Sequence, residues 1–179
     1  MLPDYRVRQR DYLLEISRLL TEELDLQALL QRILRIAIEM LMGHAGFIAL
    51  KEEKRGWHIA VHEGMPEALL NYIQNWLESL PQVGEENGEI YVPEINRMLS
   101  EVSMGMITGV GINMIFQKEF IGQIYVFRNY RGAFSANDRA VLTSFANQAA
   151  IAVRNARLFN QTREQSLRLE ALLDSVADG

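Results

Sequence analysis

A chain of 179 residues with 49% hydrophobic content can fill one sizeable core and is too short for two full domains. Its net charge of −5 gives no basic footprint, which argues against nucleic acid as a partner. Cysteine is absent, so disulfides, thiolate metal sites, iron–sulfur clusters and thiol nucleophiles are excluded.

No apolar run approaches the roughly 20 residues that span a bilayer, and the N-terminal MLPDYRVRQRDY lacks the apolar centre of a signal peptide. The expected setting is the cytoplasm, with no membrane insertion by this chain. Residues 5–23 read as a helix with a stripe of Leu13, Ile16 and Leu20, broadened by Tyr12 and Leu19. Asp25 is placed to cap a second helix, LQALLQRILRIAIEMLMG. Its broad apolar face is Leu26, Leu29, Leu30, Ile33, Ala37, Met40 and Leu41. Gly43 is read as the C′ glycine that ends this helix, and His44 as a cation at its C-terminus.

Ala45–Lys51 is an apolar strand, and EEKRG is a hairpin turn. From Gly56 to His62 the alternation puts Trp57, Ile59 and Val61 on one face and His58, Ala60 and His62 on the other. Glu63–Pro66 is a turn into a helix with Leu69, Leu70, Ile73, Trp76, Leu77 and Leu80 on one side, stopped by Pro81. Residues 82–103 are the least regular, with Ile90–Val92 as a short strand. Met106–Phe116 and Ile121–Arg128 are two further strands joined by a short turn. Five or more strands, largely joined by hairpins, with helices at both ends of the chain, mean an α+β fold with an antiparallel sheet.

The final helix starts at a cap, Ser135 with Asp138 three residues on. Two apolar stripes follow. One is Leu142, Phe145, Ala149, Ala152, Ala156 and Phe159, and the other is Val141, Gln148, Ile151, Asn155, Leu158 and Thr162. The second continues through Gln165, Leu169, Leu172 and Val176 with no intervening Pro or Gly. A helix from Ala136 to about Leu173 would be roughly 55–60 Å long, longer than a globule of this size is wide. Its end must project, and a second copy of the chain is the simplest cover for its seam.

The pattern Phe134-Ser135-x-x-Asp138-x-x-x-Leu142-x-x-Phe145-Ala146-x-Gln148-Ala149-Ala150-Ile151-Ala152-x-x-Asn155-Ala156-x-Leu158-Phe159 resembles the closing helix of GAF domains, small sensory modules of signalling proteins. Phe120–Arg128 resembles the strand that precedes that helix. The resemblance implies an α+β, GAF-like antiparallel sheet of five to six strands in the order 2-1-5-4-3. The terminal helices would lie on one face and the irregular middle segment would roof the other. It implies an N-terminal dimerisation helix over 1–23, a GAF domain over 24–159 and a coiled-coil linker over 160–179. The last nine residues resemble the start of a PAS domain, so the chain is expected to belong to a longer receptor such as a two-component sensor histidine kinase.

Candidates for chemistry are few. His58 and His62, on one strand, would be about 13 Å apart, too far to share a metal. Nothing marks a haem site at the third histidine, His44, and no metal or cofactor is expected. GAF domains that bind cyclic nucleotides carry an Asn-Lys-x-x-x-Phe-x-x-x-Asp-Glu motif, which Asn96–Glu101 does not complete. Bilin-binding relatives usually attach their chromophore through cysteine, and the family's sulfoxide reductases need thiols. The Gly105–Gly111 segment leads into a strand and offers no helix N-terminus for phosphate. No nucleophile with an acid/base pair is found, so the chain is not expected to be an enzyme. The residues left to line a pocket are Trp76, Tyr91, Met98, Met104, Met106, Ile107 and Met114, although methionines also fill uneven core gaps.

Two functions follow as expectations. One is a sensor that binds an unidentified small molecule and relays the change through the terminal helices. The other is a dimerisation and transmission module with a vestigial pocket. Both expect a parallel homodimer through Leu13, Ile16, Leu20, Ile151, Asn155, Leu158, Thr162, Leu169 and Leu172.

Overall fold

The computed structural model describes residues 7–11, 25–79, 97, 107–129 and 132–178. In chain order these form α1 (Leu26–Met40), β1 (Ala45–Glu52), β2 (Gly56–Glu63), α2 (Glu67–Ser79), β3 (Thr108–Phe116), β4 (Glu119–Arg128) and α3 (Ala136–Ala177). The four strands make one antiparallel sheet in the order β2-β1-β4-β3. The sheet is thus four-stranded among the described residues, against an expected five to six. The expected strand at 90–92 lies outside those residues, as does the N-terminal stripe of Leu13, Ile16 and Leu20.

α1 begins where Asp25 accepts hydrogen bonds from the Gln27 and Ala28 amides, as its cap position predicts. Its end differs from expectation. Leu41 is the C-cap, and Met42, in the left-handed conformation at φ 50°, takes the C′ position expected of Gly43. Met42 N–H donates to the Glu39 carbonyl and Gly43 N–H to the Ile38 carbonyl, the two bonds of a Schellman motif. Gly43 has a different duty: a Cβ there would lie 2.6 Å from Val126 Cγ1, so the glycine permits the close passage of β4. His44 does not cap α1 either. Its N–H donates to Phe127 O, while the cation at the helix end is Arg128, whose Nε and Nη2 donate to Leu41 O at 2.8 and 2.6 Å.

α1 and α3 cover one face of the sheet, and α2 covers the other at β2. The helical layer buries Leu30, Ile33, Leu34, Ile48, Ile124, Val126, Leu142 and Phe145. Within β2 the expected alternation fails. Ile48 pairs with Val61 and Ala49 with Ile59, so Ala60 is an extra residue in a bulge. The bulge turns Val61 toward α1 and α3 while Trp57 and Ile59 stay on the α2 face. On the β1–β4 pair, a Cβ on Gly122 would run into the Ala49 carbonyl oxygen, so only glycine fits that crossing.

α3 opens with a complete capping box: Ser135 Oγ accepts from Asp138 N–H, and Asp138 Oδ2 accepts from Ser135 N–H. Its two apolar faces have a partly different cause from the one expected. The buried set includes Val141, Ala146, Ala150 and Val153 beside Leu142, Phe145, Ala149 and Ala152, because α3 packs on the sheet and also against α1 lying beside it. One face meets strands and the other meets a helix of the same chain. Val141 therefore belongs to the internal core, and Phe159 lies exposed past its end. Every described residue from Leu158 onward is exposed, although the helix runs unbroken to Ala177.

Candidate functional site

Two features lie outside the main core: the sheet face turned toward α2, and the projecting part of α3. The first is built from alternate residues of each strand. Ala45, Phe47 and Ala49 of β1 stand beside Tyr125 and Phe127 of β4, with Trp57 and Ile59 of β2 at one margin. Phe47 stacks on Tyr125 with ring centroids 4.6 Å apart and on Phe127 at 5.9 Å. Trp57 meets Phe120 edge to face at 5.6 Å. On β3, Gly109 and Gly111 pair with Phe127 and Tyr125 and present no side chain there.

A polar row crosses this apolar floor. Tyr125 Oη donates to Gln123 Oε1 at 2.5 Å, and Gln123 Nε2 donates to Asn113 Oδ1 at 3.0 Å. Burial holds the Tyr125 hydroxyl above the usual phenol range, so it stays a donor. These groups cannot titrate near neutrality, and their arrangement suits holding a surface in shape. Gln74 reaches from α2 to the outer strand, accepting from Ile59 N–H and donating to Trp57 O, both at 3.1 Å. Its amide thereby occupies backbone groups that an edge strand would otherwise leave open. The Trp57 indole N–H is buried and, among the described residues, has no acceptor.

The expected pocket residues are only partly brought together. Trp76 and Ile107 pack against the aromatic floor. Met114 does not: it shares the opposite face of β3 with Val110 and Ile112, in the core under α1 and α3. Strand alternation dictates that face, since Asn113 is the residue that points the other way. Tyr91, Met98, Met104 and Met106 lie outside the described residues. Phe47, Trp57, Asn113, Gln123, Tyr125 and Phe127 were missed. The legible signal was Gln123-x-Tyr125-x-Phe127 interleaved with Ile124 and Val126, a polar residue inside a strand apolar on both faces.

Of the expected interface residues on α3, Ile151 is half-buried, and Asn155, Leu158, Thr162, Leu169 and Leu172 are exposed, Leu158 by 44% and Leu169 by 63%. At the other end of α3, buried Arg128 lies 3.3 Å from Asp138 Oδ1 and 4.0 Å above the Phe134 ring, besides bonding Leu41 O. One side chain so joins the end of α1, the end of β4 and the start of α3. Burial acts to raise the Asp138 pKa, but hydrogen bonds from Ser135 and the Arg128 charge outweigh it and hold the carboxyl below its ordinary value. At His44, burial lowers the ring's pKa and a hydrogen bond to the Phe127 carbonyl offsets part of that. Among the described residues no group of three His, Asp or Glu side chains is placed to hold a metal, and no helix is long and apolar enough to cross a membrane.

An antiparallel sheet with a paired helical layer behind it and a separate helix over its other face defines a small α+β domain. A family model described as "GAF domain" matches residues 23–154, and the chain belongs to that family. Among solved structures, it is similar to the GAF domain of a phosphoenolpyruvate-protein phosphotransferase from Coxiella burnetii, with a TM-score of 0.61 at 14% identity. That match covers 87% of this chain and 98% of the other. The GAF domain of a putative sensor histidine kinase from Pseudomonas syringae pv. tomato matches at 0.59 and 13% identity, over 89% and 94% of the two chains. The phycoerythrobilin-bound GAF domain of a cyanobacterial phytochrome matches at 0.60 and 11% identity, over 85% and 97%. At these identities the likeness speaks for the fold.

Proposed function

We propose that this chain is the regulatory sensor and dimerisation module of a signal-transduction protein, with no catalysis of its own. A small molecule at the sheet face under α2 would shift the helices that leave the domain. The observation that carries the reading is α3, which passes its last half-buried residue at Arg157 and continues exposed with Leu158, Leu169, Leu172 and Val176 in one seam. An apolar seam of that length, at steps of three and four, calls for a helical partner. A second copy, paired in parallel, covers it and puts both outputs at the same end. Asn155, Thr162 and Gln165 interrupt the seam, fixing register while keeping the bundle marginal enough to hold two packings. Glutamates at Leu158 and Leu169 together should give a folded monomer by sedimentation. A dimer that survives both charges refutes the parallel bundle.

A second reading, a transmission module with a vestigial pocket, draws on the floor itself. Phe47, Ile73, Leu77 and Tyr125 have no exposed surface, and Tyr125, Gln123 and Asn113 satisfy one another. A bilin of the kind bound by the phytochrome relatives has no cysteine here to attach to. Protein purified from its host should therefore be colourless, and cyclic nucleotides should leave its melting temperature unmoved, because a ligand that binds only the folded state raises it. A Soret or bilin band, or a cyclic-nucleotide shift, counts against the corresponding statement.

A further inference from the structure

The aromatic corner of Trp57 and Phe120 lies in the same two hairpins that hold α3 where it leaves the sheet. Trp57 pairs across the β1–β2 hairpin with Lys51, and the Lys51 carbonyl accepts from Arg157 Nη2 at 3.0 Å. Phe120 follows Glu119 at the β3–β4 hairpin, and Glu119 Oε2 is 3.4 Å from Arg154 Nη1. Arg154 and Arg157 are one helical turn apart, and the helix has no buried residue after Val153. These two arginines are therefore the last side chains shown tying the helix to the sheet before it projects. Both ties are partly exposed, so each is weak and reversible.

On the α2 side the corner is unfinished. The Trp57 indole is only 8% exposed, yet among the described residues its N–H has no acceptor, a condition that burial makes costly. Trp57 is also bonded through its carbonyl by Gln74 of α2. A hydrogen-bond acceptor brought to the indole N–H would act on a residue whose own strand pair carries the Arg157 contact.

We propose that the Trp57–Phe120 corner is the read-out point of the sheet face: an occupant with an acceptor atom for the indole N–H displaces the corner, and the two hairpins pass that displacement to α3 through Arg157 and Arg154. This rests on the sensory reading for its biological meaning, while the coupling itself is a property of the single chain. Energetic coupling is reciprocal, so it can be read from either end without knowing the ligand.

The test uses the whole chain with Trp76→Phe, which leaves Trp57 as the sole tryptophan. In that background Arg154→Gln with Arg157→Gln should shift the Trp57 emission and increase its quenching by acrylamide. Conversely, Phe120→Leu should speed amide exchange at 150–157 of α3 about five- to tenfold, the loss expected for one weak ion pair and one hydrogen bond. Circular dichroism and melting curves establish that each variant is folded. Glu119→Gln, a change at an exposed side chain, repeats the first measurement should the double arginine variant not fold. Trp57 emission that stays put while the helix loosens overturns the proposal, as does unchanged exchange in Phe120→Leu. Neither readout involves a ligand or a second chain, so failure here is distinct from failure of the sensor and dimer reading.

Discussion

Replacing Arg128 with methionine keeps much of the stem and removes the guanidinium that three elements share. The Leu41 carbonyl loses both of its donors from Arg128, Asp138 loses the cation 3.3 Å away, and Phe134 loses the charge over its ring. Arg128 is buried while Asp138 is half-buried and keeps its Ser135 bonds, so the cost is about 1–3 kcal/mol, chiefly from the buried Leu41 carbonyl left without its donors. That is a large part of the roughly 5–15 kcal/mol by which a domain is stable. Arg128→Lys should recover only a portion, since an ammonium cannot fork between a carbonyl and a carboxylate while lying on a ring. The assay is urea unfolding at pH 7 with the slope compared, so that a shift in midpoint reports stability.

The same experiment has a pH arm. The Asp138 carboxyl is depressed in the folded state, so its contribution is present above the unfolded carboxylate range and is lost as pH falls through the folded value. The gap between the parent and Asp138→Asn should thus be full at pH 7 and close in acid, from about pH 4 downward. A double-mutant cycle on Arg128 and Asp138 should give a coupling of about 0.5–3 kcal/mol. An Arg128→Met protein within about 0.5 kcal/mol of the parent, the range of inconsequential surface changes, would refute the reasoning.

Other substitutions test the backbone and the α2 contact. Met42→Gly should raise stability by about 1 kcal/mol by relieving a left-handed methionine that is exposed; Lys118→Gly, at φ 72° in the β3–β4 turn, should do likewise, both read from urea midpoints. Gly122→Ala should destabilise by at least about 1–3 kcal/mol, since its methyl group meets the Ala49 backbone, and calorimetry should show a lower melting temperature. Gln74→Leu should cost about 1–2 kcal/mol and speed exchange of the Ile59 amide, because both backbone partners on β2 lose their bonds.

What could be read from the chain was local. Asp25 and the Ser135–Asp138 pair announced two helix starts, since a cap is made by residues two or three positions apart. The strand pairs flanking short turns and the length of the closing helix were legible for the same reason, as was membership of the GAF family from its closing motif. Tertiary structure decided what depends on groups distant in sequence. Val61 changed face because β1 accepts one residue fewer than β2 supplies, and no periodicity within β2 reveals a bulge set by its partner. Met114 fell on the helix side, whereas its place on the strand after the irregular segment had grouped it with the other methionines. The cation at the end of α1 came from Arg128, 87 positions beyond Leu41, and not from neighbouring His44, because β4 runs past that helix end. The second face of α3 was spent partly on α1 for the same cause: an apolar stripe states that something must cover it, and only the packed chain says what.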